Sequence, residues 1–519
     1  MVVYLYIAGV CSTMKASVQR SSTTHKSLAM VSAVPLLLLL LLCSSTSLVA
    51  HAGADELNYI VVETSSLKPH AVCKGLRVFG MHAVHPSSAN HTGSWMPLSS
   101  LHGPCSPSWE EGVDDSAPSM VDTLRWDQHR AHYIQRKLSG NVSQEDLELA
   151  PSVSTVTNEA GGGAVSASVG DGSGAMAKDS QLSIDPAATG GRLPGVKQTM
   201  LLDTASDVAW VQCAPCPASQ CYPQTDVLYD PSKSGSSAPF PCSSPTCRQL
   251  GPYANGCTSN SQCQYRVQYP DGSTTSGTFI SDLLTLSPNG QVPKFQFGCS
   301  HAARGSFSSS KTAGIMALGR GAQSLTSQTM TQYGQVFSYC FPPTTSHQGF
   351  FILGLPTRSA SRYAVTPILK TAMLYQVRLQ AITVAGQRLN VPPTVFAAGA
   401  VLDSRTVITR LPPTAYQALR SAFRDKMRMY RAAAPNGQLD TCYDFTGVRR
   451  ITLPTISLVF DRTAGVELDQ SGILYNNCLA FTSNGDDRAT GIIGYVQLQT
   501  IEVLYNVAGG SVGFRRGAC

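Results

Sequence analysis

Charge is scarce in this chain of 519 residues: Asp, Glu, Lys and Arg together make up 13% of it, about half the usual share. With 43% apolar residues, that scarcity excludes a globally disordered, charge-solvated chain and leaves room for a large core. Clustered basic runs are lacking too. The formal net charge is +6, but the cations are scattered, so a nucleic-acid partner is not expected. No apolar run reaches the ~20 residues needed to span a bilayer, so no stable membrane anchor is expected. Histidine is missing around Cys213, Cys216 and Cys221, which disfavours a zinc shell there against disulfides. No metal and no cofactor are called for.

Cysteine, by contrast, is plentiful. Of the 16 cysteines, twelve lie between Cys213 and Cys519, an even number that fits six disulfides formed in an oxidising compartment. Their connectivity is not legible in the sequence. Cys73 and Cys105 stand apart and are expected to bridge each other. The address is written at the start: Lys26, seven consecutive leucines from Leu36 to Leu42, then Ala50-His51-Ala52. This order predicts a secretory signal peptide over residues 1–52, with Met14 or Met30 as possible working starts.

Residues 53–180 differ in composition from the remainder of the chain. Asn90 and Asn141 head glycosylation acceptor triplets. Residues 122–137 (DTLRWDQHRAHYIQRK) predict a basic helix, and Gly161 to Gly174 reads as a flexible, protease-sensitive connector.

The chain is organised around Leu201 to Cys213 (LLDTASDVAWVQC). An apolar run delivers Asp203 to the end of a buried strand, and a carboxylate buried there needs donors, for which the hydroxyls of Thr204 and Ser206 are the candidates. The plan returns 200 residues later: Ala400-Val401-Leu402, then Asp403, Ser404, Arg405 and Thr406. One plan used twice points to two equivalent lobes, each offering one carboxylate. Two such carboxylates brought close share a proton and act as an acid/base pair.

With WVQC after the first motif, YPDGSTTSGTF at 269–279 and VITRLPPTAY after the second, the chain resembles the plant nepenthesin-like, pepsin-type aspartic proteases. The resemblance implies a mostly β, bilobal pepsin-like acid protease fold with two β-barrel-like lobes and one catalytic Asp from each. It divides the chain into a prosegment and linker over 53–180, an N-terminal lobe over 181–365 and a C-terminal lobe over 366–519. Asp203 and Asp403 become the catalytic pair of a secreted endopeptidase acting at acid pH. Thr204 and Ser404 would crosslink the two loops, and Ser206 and Thr406 would bond the carboxylates. The hairpin carrying Tyr269, Asp271, Gly272 and Ser273 would be the flap over substrate, with Trp210 beneath donating to Tyr269; the plainer reading of Tyr269 is a cross-strand aromatic. Gly314 to Gly319 and Gly491 to Gly494 match the strands that thread behind the two Asp loops.

The basic helix would cover the acidic cleft, making the prosegment the protein's own inhibitor; the alternative is a solvated helix in a linker. Protein or peptide substrates, a monomer, and a final address in the cell wall or the vacuole complete the expectation. Four features depart from the family pattern. Arg405 and Ala317 each replace a glycine, Pro270 replaces the glycine after the flap tyrosine, and residues 185–197 are loop-like where an apolar strand is expected. Arg405 is the gravest, since a guanidinium reaching the dyad would remove its shared proton. It motivates the competing reading of a catalytically impaired pepsin-fold protein that binds or inhibits a partner.

Overall fold

Two short apolar runs, each ending in Asp, decide the architecture. Val196–Asp203 and Ala400–Leu402 form strands that are fully buried over their last residues, as expected of continuous apolar runs lying within a sheet. The computed structural model describes residues 58–67, 72–73, 93–106, 119–139, 163–169, 195–269, 272–287, 290–305, 311–355, 363–370 and 373–519. The expected signal peptide, the acceptors Asn90 and Asn141, and Pro270 and Asp271 of the hairpin lie outside these. The body is Val61–Cys519; the described part of Met1–Ile60 only opens the strand Tyr59–Glu63.

Both lobes repeat one crossing. In the first, Gly314–Ala317 pairs parallel with the end of Val196–Asp203 and antiparallel with Trp210–Gln212. In the second, Gly491–Ile493 pairs parallel with Ala400–Leu402 and antiparallel with Thr409–Leu411. The threading strands predicted from the glycine motifs are therefore present in both halves. A Cβ on Gly494 would stand 2.6 Å from the Val407 carbonyl oxygen, so no side chain fits. At the equivalent place Ala317 lies opposite Asp203 and is wholly buried; the first lobe has room for a methyl.

A mostly β, bilobal molecule results. The largest sheet among the described residues has 15 strands, and its middle joins the halves. Val336–Cys340 pairs with Gly349–Leu353 on one side and Glu502–Asn506 on the other. The strand pair Glu502–Asn506 and Ser511–Arg515 of the second lobe is thus shared with the first. All twelve cysteines after residue 212 are paired, as 213–299, 216–221, 242–257, 247–263, 340–519 and 442–478, and Cys73 is bonded to Cys105. The Cys340–Cys519 bond closes a loop of 179 residues. Replacing both by Ser is expected to cost about 2–5 kcal/mol, read as a lowered melting midpoint under oxidising conditions that disappears under reductant.

Two expectations are corrected. Residues 163–169, read as part of a flexible connector, form a strand that pairs antiparallel along Val196–Asp203. This strand also supplies the partner expected before Asp203, about twenty residues earlier than the loop-like stretch 185–197. A Gly/Ala/Ser composition hid it, because strand propensity reflects side-chain packing and these small residues give little sign of it. The strand Ser94–Ser100, upstream of the helix, is likewise built into the sheet, between Gly349–Leu353 and Gly163–Val169.

The predicted basic helix is Met120–Leu138, capped by the Ser119 hydroxyl, which accepts from the Asp122 amide. Its buried residues are Thr123, Leu124, Asp127, Arg130, Ala131, Ile134 and Lys137, one face at spacings of three and four. Leu124 packs with Val407 and Ile408 of the second lobe, while Ala131 and Ile134 meet Ala205, Val401 and Ile492 from both. The later helix, Pro413–Lys426, buries Tyr416, Leu419 and Phe423, with Met427 just beyond its end. The arginines on it and just beyond it are answered from within the chain: Arg420 pairs with Asp440, Arg428 with Asp425, and Arg431 with Asp444.

Candidate active site

Asp203 and Asp403 come from loops 200 residues apart, and both carboxylates are wholly buried. The loops are stitched reciprocally: the Thr204 amide donates to Ser404 Oγ at 3.1 Å and the Ser404 amide to Thr204 Oγ1 at 3.1 Å. Ser404 Oγ also donates to the Leu202 carbonyl at 3.0 Å. The hydroxyls two places further on serve the carboxylates themselves: Ser206 Oγ donates to Asp203 Oδ2 at 2.8 Å and Thr406 Oγ1 to Asp403 Oδ2 at 2.7 Å. The Ala205 and Thr406 amides add donors at 2.8 and 2.9 Å. Polar groups buried this deeply must be satisfied, and here Asp-hydroxyl-x-hydroxyl does so twice over.

The hairpin above is formed by Cys263–Gln268 and Thr274–Ser287. Its turn is held by the Tyr269 amide donating to the Ser273 carbonyl and the Gly272 amide to the Tyr269 carbonyl. Trp210 Nε1 donates to the Tyr269 hydroxyl at 2.8 Å. Burial pushes the Tyr269 phenol well above its ordinary value, so it stays neutral.

Sequence reasoning put the basic helix over the cleft but did not single out the residue that enters it. Arg130, from the Met120–Leu138 helix, clasps both carboxylates. Its Nε and one terminal nitrogen donate to Asp403 Oδ2 and Oδ1 at 2.9 and 2.8 Å. Its terminal nitrogens reach Asp203 Oδ2 and Oδ1 at 3.1 and 2.6 Å. Such charge-assisted, two-pronged bonds are the strong ones. Either side of it, Asp127 accepts from the Val407 amide at 2.5 Å and from Arg410 at 2.8 Å, and Lys137 pairs with Asp207 at 2.6 Å. The available signal was a helical wheel, which puts Asp127, Arg130 and Lys137 on the apolar face with Leu124, Ala131 and Ile134. Charges in that stripe need partners.

Arg405, the departure from family pattern, points into the site: its guanidinium stands 3.3 Å from Asp203 Oδ2 and its side chain is 12% exposed. The two carboxylates are thus matched by two guanidiniums. Burial pushes the Asp203 carboxyl up, but Arg130 and Arg405 outweigh it and hold the group well below the usual carboxylate range. Burial also works to discharge Arg130, and the two carboxylates overcome it, holding the guanidinium protonated.

The comparisons agree with this geometry. Two family profiles, described as "Xylanase inhibitor N-terminal" and "Xylanase inhibitor C-terminal", match residues 189–355 and 374–516. An aspartyl protease family protein of Arabidopsis thaliana is 35% identical over 497 residues, covering 93% of this chain and 98% of that one. Aspartic proteinase nepenthesin-2 of Nepenthes gracilis is 32% identical over 345 residues, 63% of this chain and 76% of its own. Among solved structures, basic 7S globulin from soybean shares the fold, with a TM-score of 0.52 at 19% identity over 68% of this chain and 91% of that one. By these sequence matches, and with the doubled Asp motif standing where the fold requires it, the chain belongs to the plant pepsin-like aspartic protease family.

Proposed function

We propose that the protein is the precursor of a secreted aspartic endopeptidase, delivered to the cell wall or the vacuole and held inactive by its own helix Met120–Leu138. The observation carrying this reading is the clasp of Arg130 on Asp203 and Asp403. A cleft evolved only to bind would have no need of two carboxylates at one point. With the helix gone, the carboxylates share a proton and hold a water between them. One carboxylate takes a proton from the water as its oxygen attacks the scissile carbonyl carbon. The other, protonated, hydrogen-bonds the carbonyl oxygen. The tetrahedral intermediate then collapses, breaking the C–N bond as the amine nitrogen is protonated. The pair titrates as a unit.

Acid treatment of the secreted precursor is expected to cut it between the helix and the strand at 163–169, which pairs with residues 196–201 just before Asp203. The product should then degrade denatured globin at about pH 3–4, and pepstatin, a transition-state mimic, should block it. A processed protein that neither cleaves globin nor binds pepstatin at any acid pH would refute the enzyme.

A second reading has its own support. Arg405 beside Asp203 and the inhibitor name of the matching profiles both favour a pepsin-fold protein that binds a partner instead of cutting it. Silence of the processed wild type, together with cleavage by Arg405→Gly, would decide for it.

A further inference from the structure

We propose that Asp207, the Ala205 carbonyl oxygen and Tyr253 form a specificity-determining subsite that receives a lysine or arginine side chain of the substrate. The inference rests on the endopeptidase reading and adds a substrate class to it. Lys137 now fills this place. Its ammonium donates to Asp207 Oδ2 at 2.6 Å and to the Ala205 carbonyl oxygen at 2.8 Å, and the residue is 4% exposed.

The receptor is built by the first lobe, not by the helix. Asp207 Oδ1 accepts the Gly321 amide at 2.9 Å, and Oδ2 accepts the Tyr253 hydroxyl at 3.1 Å. Glycine leaves the space: a Cβ on Gly319 would stand 2.5 Å from Asp207 Oδ1, and one on Gly321 2.6 Å from the Asp207 Cβ. The carboxylate therefore keeps its position when the helix departs. Among the described residues, Lys137 is the cation paired with it. A carboxylate in a recessed site without its counter-charge is unfavourable, so the side chain that best replaces Lys137 is another cation.

The site also lies where a bound chain must pass. The Ala205 amide bonds Asp203 Oδ1 at 2.8 Å, while the carbonyl of the same residue takes the ammonium. Bonded through the two ends of that one residue, the ammonium's place and the Asp203 carboxylate lie within about 9 Å of each other. An extended chain covers that distance in about three residues. The basic residue should therefore fall about three positions from the scissile bond, on one side of it.

The test uses acid-activated protein prepared from the full chain. Paired peptides differ only in carrying lysine or norleucine about three residues from the cleaved bond, placed on each side in turn. On one side, kcat/KM should favour lysine by about tenfold or more, Asp207→Asn should bring the ratio close to one, and Tyr253→Phe should lower it. A wild-type ratio near one on both sides overturns the subsite, as does a lysine preference that survives in a folded Asp207→Asn. If Asp207→Asn fails to fold, the wild-type ratio and Tyr253→Phe decide. If neither peptide is cut, the endopeptidase reading fails instead. The same pairs are then titrated calorimetrically: tighter binding of the lysine peptide supports the subsite, and equal affinity overturns it.

Discussion

Arg130→Ala in the intact precursor is expected to open the site at mild pH, where the wild type stays shut. Four hydrogen bonds from one guanidinium hold the helix on the dyad, and removing one partner of a buried ion cluster costs about 3–5 kcal/mol. At about 1.4 kcal/mol per factor of ten, this weakens docking by about a hundredfold or more. The measurement is pepstatin binding, or hydrolysis of a short fluorogenic peptide, by uncut precursor at about pH 5, a pH at which free carboxyls are mostly ionised. Precursors of wild type and Arg130→Ala that bind pepstatin equally would show that the helix does not occlude the site. The acid response of the wild type is set by the sign of the shifts. The Asp203 carboxyl is depressed in the docked state. Its share of docking is therefore present above the value the group takes once the helix has left and is lost as pH falls through the lower, docked one. Asp127 works the other way. Burial raises it despite Arg410, so its protonation favours the docked helix, and it cannot be the acid trigger.

Arg405→Gly is expected to shift the acid limb of the processed enzyme's rate profile upward by about one unit or more. Two unit charges about 4 Å apart at an effective dielectric of about 20 interact by about 4 kcal/mol, and an opposite charge at such range lowers a carboxyl by about one to three units. Arg405 remains when Arg130 leaves, because it belongs to the second Asp loop itself. Its charge keeps Asp203 ionised and puts the shared proton on the Asp403 side. On that account the wild type retains activity at lower pH than the glycine variant, and loses general-acid strength first as pH rises. The full pH dependence of kcat/KM for both proteins is the readout. Superimposable profiles would mean that the guanidinium swings away once the cleft is vacated.

The parts of the site legible in the sequence were those fixed by local pattern. Asp203, Asp403 and their hydroxyl neighbours lie in short motifs whose geometry is dictated by strand, turn and buried polarity, while the Trp210–Tyr269 contact came only from the family resemblance. The threading strands were legible for the same reason, since a glycine at 494 answers a backbone approach that no side chain tolerates. The tenant of the cleft was less legible. That residues 122–137 would be helical and basic was clear, but which cation meets the dyad depends on the angle at which the helix crosses both lobes. The strand at 163–169 was hidden by composition, and Arg405 had two rotamer fates that only packing decides.

The strand Ser94–Ser100 is hydrogen-bonded on both flanks, to Gly349–Leu353 and to Gly163–Val169. Losing it would bare two rows of backbone donors and acceptors deep in the shared sheet, a surface prone to recruit other chains. On the precursor reading proposed above, maturation evicts one helix while its upstream neighbour stays behind as a resident filament, and the processed protein would be a nicked heterodimer descended from a single polypeptide.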